Sequence, residues 1–226
     1  MDNQLSSEPI SLGIVRRPPR AAVIVAHPDD ETLWCGGFLL RHRDWTWTIL
    51  ALSRASDSDR AWKFRKTLKH YGATGEIGDL DDGPGQRPLS DAVIREMVFD
   101  LLPEERFDLV LTHGPRGEYT RHLRHEECSR AVVGMWRSGL LRTGQLWMFA
   151  YEDDGRAHLP RPSSDADRTE ALTADEWEEK RRILREFYGF AAESWEVRAA
   201  PREEAFHCFV HPAQALKHIA AHEVLA

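Results

Sequence analysis

Within Ala26-His27-Pro28-Asp29-Asp30-Glu31 an imidazole and three carboxylates follow one another almost without interruption. Neutral imidazole and ionised carboxylate are the donors that hold zinc and related divalent ions. The run follows Ala21-Ala22-Val23-Ile24-Val25, apolar enough for a buried strand. Pro28 suits the first turn of a helix, and the acids suit its N-terminal dipole. The cluster therefore falls at a strand-to-helix junction, where an open α/β sheet places its chemistry. With His27 and Asp30 turned toward one point, Asp29 is left free as a base. An acidic helix start alone would not require the histidine at the strand end.

A catalytic zinc usually takes three protein ligands and keeps one position open. A further donor is expected from the stretch His113 to Glu127, which follows a second apolar run, Phe107-Asp108-Leu109-Val110-Leu111. His122 and His125 are three apart near the start of a helix carrying Ala131, Val132, Met135 and Trp136 at helical spacing. Both clusters lie at the carboxyl ends of expected strands. Surface histidines in a charged loop are the plainer reading of His122 and His125 taken alone.

His-Pro-Asp-Asp-Glu followed downstream by His-x-x-His resembles the GlcNAc-phosphatidylinositol de-N-acetylase (PIG-L, or LmbE-like) family over about residues 20–155. The resemblance implies a zinc-dependent enzyme that removes an N-acetyl group from an amino sugar or glycoconjugate. It makes His27, Asp30 and His125 the zinc ligands and Asp29 the general base. A protonated His122 would stabilise the oxyanion. Family members commonly carry His-Pro-Asp-His at the second motif, where Leu123 and Arg124 stand here. Different contacts behind the ligands are expected from that change. An Asp-Gly that contacts the sugar in the family matches Asp82-Gly83, and Arg54 resembles a basic substrate-binding position. His113, Glu118 and Tyr119 are expected either in the pocket wall or in a solvated loop.

Two alternatives stand beside this reading: a metal-dependent amidase on a non-sugar N-acyl substrate, and an idle sugar- or metal-binding module. Histidine and carboxylate ligands also accept Fe(II) or Co(II) in place of zinc.

The elements needed to position these residues alternate. Strands are expected at about 21–26, 47–52, 76–80, up to Thr112, and 146–151, with helices over 28–42, 60–71, 91–102 and from 126 onward. That alternation predicts an α/β, Rossmann-like three-layer fold with a mostly parallel sheet. Ser90 caps the helix whose Val93, Met97 and Leu101 share a face. Gly36-Gly37 allows close packing inside the first helix and is no nucleotide loop, since no Gly-x-Gly-x-x-Gly or Walker-type run follows a strand. Tyr151 to Ser164 reads as a long connection at the active-site edge. Thr173 and Glu176 form a capping box opening a helix to Gly189. A late strand is expected over Phe206 to Val210, and His218 and His222, four apart on a final helix, either hold adventitious metal or face solvent, the second being the plainer reading.

A chain of 226 residues suits one domain, here 20–226 after a loose leader over 1–19. Its net charge of −7 argues against general nucleic-acid affinity, and the family resemblance implies a small-molecule N-acetylated sugar or glycoconjugate as the partner. No apolar run approaches the roughly 18 residues of a membrane span. Met1 to Arg20 has no secretion-signal pattern, so a cytoplasmic location is expected. Cys35, Cys128 and Cys208 are too scattered for a disulfide framework and read as small buried residues.

Overall fold

Both faces of β1 (Arg20–Val25) are covered: Ala21, Val23 and Val25 enter one core, Ala22 and Ile24 the other. Successive strand side chains point to opposite faces, so an unbroken apolar run suits a strand buried on both sides. The computed structural model describes residues 17–103, 106–119 and 121–223. After β1 come α1 (Asp30–Arg41), β2 (Thr46–Ser53), α2 (Ser58–Tyr71), β3 (Thr74–Leu80) and α3 (Asp91–Leu101). The chain continues with β4 (Arg106–Thr112), α4 (Leu123–Ser138), β5 (Arg142–Phe149), β6 (Tyr151–Glu152), β7 (Arg161–Pro162) and β8 (Arg168–Ala171). It closes with α5 (Ala174–Arg182), α6 (Trp195–Ala199), β9 (Glu203–Phe209) and α7 (Pro212–Glu223).

Among the described residues, seven strands form one sheet in the order β3-β2-β1-β4-β5-β9-β8, and β6 pairs with β7 apart from it. The first five are parallel, while β9 runs antiparallel to both β5 and β8. Helices α1, α2, α5 and α6 cover one side and α3, α4 and α7 the other, which is the expected three-layer arrangement. Strand order reverses between β1 and β4, opening a crevice at their carboxyl ends. Thr112 Oγ1 donates to the Ile24 carbonyl at 2.9 Å and ties those two ends together.

Several elements differ from the sequence expectation. Pro28 precedes α1, and Asp29 is its N-cap with φ 128°. Inside α1, Cys35 leaves helical geometry, and the Gly37 and Phe38 amides donate to the Glu204 carboxylate at 2.8 and 2.7 Å. Glu204 is in turn paired with fully buried Lys180 at 2.6 Å. A Cβ on Gly37 would meet Leu172 Cδ2 at 2.3 Å, so the close packing expected there is real. Val93 is 41% exposed, and the buried face of α3 is instead Ile94 and Val98. The helix expected to run from Thr173 to Gly189 keeps its capping box but changes winding after Arg182. A π turn over Ile183–Phe187 follows, closed by Tyr188 N–H to Ile183 O at 3.2 Å.

Of the leader expected over 1–19, residues 1–16 lie outside the described residues, while Arg17 pairs with Asp108 at 2.9 Å. Among the described residues no helix is long and apolar enough to cross a membrane.

Candidate metal centre

Asp30 Oδ2 is the meeting point of the two motifs. His27 follows β1, Asp30 opens α1, and His125 stands in the first turn of α4, just beyond β4. His27 Nδ1 lies 3.0 Å from Asp30 Oδ2 and 3.1 Å from His125 Nε2, and His125 Nε2 lies 3.3 Å from Asp30 Oδ2. Donors about 2.0–2.1 Å from a tetrahedral ion stand about 3.3 Å apart, so this triangle fits one face of a zinc-type site. Burial alone would raise the Asp30 pKa. When His125, His27 and His113 are protonated, their charges outweigh it and hold the carboxyl well below the usual range, so the Asp30 oxygen is ionised.

The residues behind the triangle set which lone pairs face it. Fully buried Glu118 lies 2.6 Å from His125 Nδ1 and 3.0 Å from His113 Nδ1, and it also accepts the Gly114 amide at 2.9 Å. A proton on His125 Nδ1, donated to Glu118, leaves Nε2 free for an ion. His113 Nε2 accepts the Ala26 amide at 2.9 Å, so its own proton belongs on Nδ1 and the ring is not a free ligand. Asp82 Oδ1 lies 3.1 Å from His27 Nε2, off the N–H axis, and favours the tautomer with Nδ1 open. Arg54 grips the same carboxylate at 2.7 Å. Burial would raise the Asp82 pKa, yet His27 and Arg54 bring it to about 2.

The three acids of the first motif point three ways. Glu31 turns into the core, where its carboxylate accepts from Tyr188 Oη at 2.7 Å, Thr32 Oγ1 at 2.6 Å and the Asp29 amide at 3.0 Å. That last bond holds Asp29 in a positive-φ conformation that a non-glycine residue rarely adopts, at a cost of about 1–3 kcal/mol. The Asp29 side chain lines the cleft and pairs with Arg60 at 2.9 Å. Burial and the Asp30 charge push its carboxyl up to about 8, against the pull of Arg60 and His27. A carboxyl near neutrality suits a general base.

His122 caps α4, its ring 4.8 Å from His27 and 4.3 Å from His125 between centroids. Its Nδ1 is buried without a hydrogen-bond partner. Burial, then the neighbouring His125 and His27, lower it to about 3, so the protonated ring expected from the sequence is not its resting form. A neutral imidazole still donates one N–H. Tyr119 and Trp195, 4.5 Å apart between ring centroids, wall a cleft of about 360 Å³ with His27, Asp29, Arg54 and Asp82.

The structure thus gathers six of the seven sequence candidates around one cleft, with Asp82 and Arg54 beside His27, and buries the seventh, His125, 3.1 Å from His27. Sequence reasoning passed over Arg60 and Trp195. Arg60 lies two positions into α2 with nothing local to mark it, and Trp195 arrives from the far end of the chain. Arg124, at the position that departs from the family pattern, turns away from the triangle. Its guanidinium pairs with Glu127 and donates to the Asp81 and Arg87 carbonyls at 2.6 and 2.9 Å.

Comparison with known proteins places these features in context. The GlcNAc-PI de-N-acetylase family, PIG-L, matches residues 22–136. No curated protein sequence matches the chain. Among solved structures, N,N'-diacetylchitobiose deacetylase from Pyrococcus horikoshii is similar with a TM-score of 0.63 at 15% identity, covering 85% of this chain and 84% of that one. The pseudoaglycone deacetylase of the antimicrobial reagent A40926 follows with a TM-score of 0.61 at 15% identity, covering 86% and 98%. The 4-carboxy-2-hydroxymuconate hydratase of Pseudomonas putida scores 0.54 at 14% identity, covering 80% and 82%. A fold that carries both deacetylases and a hydratase does not by itself select a reaction.

Proposed function

The chain belongs to the GlcNAc-PI de-N-acetylase (PIG-L) family, and from that premise we propose that it is a metal-dependent hydrolase removing an N-acetyl group from an amino sugar or glycoconjugate. The observation that carries this reading is the triangle of His27 Nδ1, Asp30 Oδ2 and His125 Nε2 with edges of 3.0–3.3 Å, beside an unligated Asp29. Zinc is the proposed ion, because two imidazoles and one carboxylate with a position left over form its usual hydrolytic donor set. When bound, such an ion polarises a carbonyl and lowers the pKa of water toward about 7.

The remaining work falls to the side chains. Asp29, held in place by Arg60 and by the Glu31 bond to its amide, takes the proton of the attacking water. His122 donates its ring N–H to the carbonyl oxygen as negative charge develops there. The C–N bond then breaks, and the amine leaves with the proton that Asp29 took up. His122, neutral in these surroundings, carries no spare proton to give. Asp82 and Glu118 keep the ligand rings in their productive tautomers. Tyr119 and Trp195 offer aromatic faces suited to a pyranose ring.

The test is to incubate metal-analysed protein with N-acetylated sugars, glycoconjugates and acyl amino acids, measuring acetate and free amine. Release that stops with a chelator and returns with zinc is the expected result. Release from the acyl amino acids alone would move the substrate class to non-sugar amides. A protein that binds no metal would overturn the proposal.

A further inference from the structure

Far from the first centre in sequence, three histidines come together where β9, α7 and the connection between β7 and β8 meet. His207 and His218 have ring centroids 4.4 Å apart, as do His218 and His222. Asp165 Oδ1 lies 3.8 Å from His207 Nε2 and Asp167 Oδ2 lies 3.9 Å from His207 Nδ1, both beyond hydrogen-bond reach. His218 Nε2 is buried without a hydrogen-bond partner. His222 Nδ1 is 2.8 Å from the His218 carbonyl, which assigns its proton there and leaves Nε2 a free lone pair.

His207, His218, His222 and Asp165 line a cavity of about 580 Å³ that shares Tyr119 with the cleft of the first centre and is otherwise separate from it. His218 Nε2 has lost water without gaining a partner, which is costly unless something satisfies it. Neutral imidazoles with open lone pairs are metal ligands. His218 and His222, four apart on α7, present the one-face spacing that helical metal sites use.

We propose that His207, His218 and His222, with Asp165 as the neighbouring carboxylate, form a second site for a borderline divalent cation of the zinc, nickel or copper(II) class. Among the described residues the sets of three donor atoms within 4.8 Å of one another are His27, His122 and His125, and Asp30, His113 and His125, so the donors of the second site stand farther apart than those of the first. Binding at the second site therefore turns the rings about their side-chain torsions, and its affinity is the weaker of the two. The ion ties α7 to β9 and to the 163–167 segment, with its open side facing the cavity.

Zinc titration of the full-length protein, followed by metal analysis and thermal unfolding, tests this. The wild type is expected to bind two zinc ions per chain, and H218A/H222A only one while retaining its enzymatic activity. D30A/H125A, with the first centre removed, is expected to bind one zinc and to unfold at higher temperature in its presence. Adding H218A/H222A to it abolishes both effects. If the histidine-to-alanine variant fails to fold, Co(II) spectra of D30A/H125A against the same protein carrying H207Q decide the matter, an unchanged spectrum overturning the site. A single zinc per wild-type chain, or none on D30A/H125A, also overturns it and leaves the catalytic reading untouched.

Discussion

Arg124 Nε donates to the carbonyl oxygen of Asp81 at 2.6 Å, so the residue before His125 holds the residue before Asp82. Its other nitrogens reach Glu127 and the Arg87 carbonyl, and Glu127 accepts the Leu89 amide at 2.8 Å. One buried ion pair on α4 thereby pins the 81–89 segment, whose Asp82 stands against His27.

Arg124→Ala is expected to weaken zinc binding at the first centre by about tenfold or more, through the loosened Asp82. It should also cost about 3–5 kcal/mol of stability, because Glu127 is left buried without its partner. Zinc-competition titration and urea unfolding measure the two effects. Weakened binding in a variant of unchanged stability would separate positioning from folding.

Asp29→Asn should lower turnover by about 100- to 10,000-fold while leaving metal content unchanged. Asp30→Ala should lose the metal. Metal analysis beside acetate release distinguishes the two, and full activity in a zinc-loaded Asp29→Asn protein would refute the base assignment.

Glu118 sits behind both His125 and His113, so Glu118→Gln changes the charge that holds two ring tautomers. Metal affinity is expected to fall about 10- to 100-fold with the cleft residues untouched. Unaltered affinity would mean that the neighbouring backbone suffices to orient His125.

Acid stability offers a check away from the cleft. Arg41 and Glu176 join α1 to α5 at 2.6 Å. The hydrogen bond from Arg41, against a smaller effect of burial, brings the Glu176 carboxyl to about 2 from 4.5. A depressed folded pKa contributes stability that is complete above the unfolded value and is lost as pH falls from about 4.5 through about 2. Glu176→Gln keeps a capping-box side chain and removes that dependence. Unfolding curves of the two proteins should draw together across that window, and a constant gap would count against the pairing.

The parallel α/β order, and the residues it brings to the candidate metal centre, were readable in the chain because each rests on neighbours in sequence. An apolar run makes the strand, and the polar residues just past its end are delivered to the sheet edge. His27, Asp30 and His125 converge for that reason, once β1 and β4 lie side by side. Tertiary structure alone decided what stands behind them. Glu31 turns inward to Tyr188, 157 residues away, which follows a π turn where one long helix was expected. Arg60 reaches Asp29 from α2, and Trp195 joins the cleft from α6. His218 and His222 look solvent-facing by local pattern, yet β9 brings His207 against them. Periodicity describes one element at a time, whereas these contacts depend on how separate elements pack and on the rotamers that packing selects.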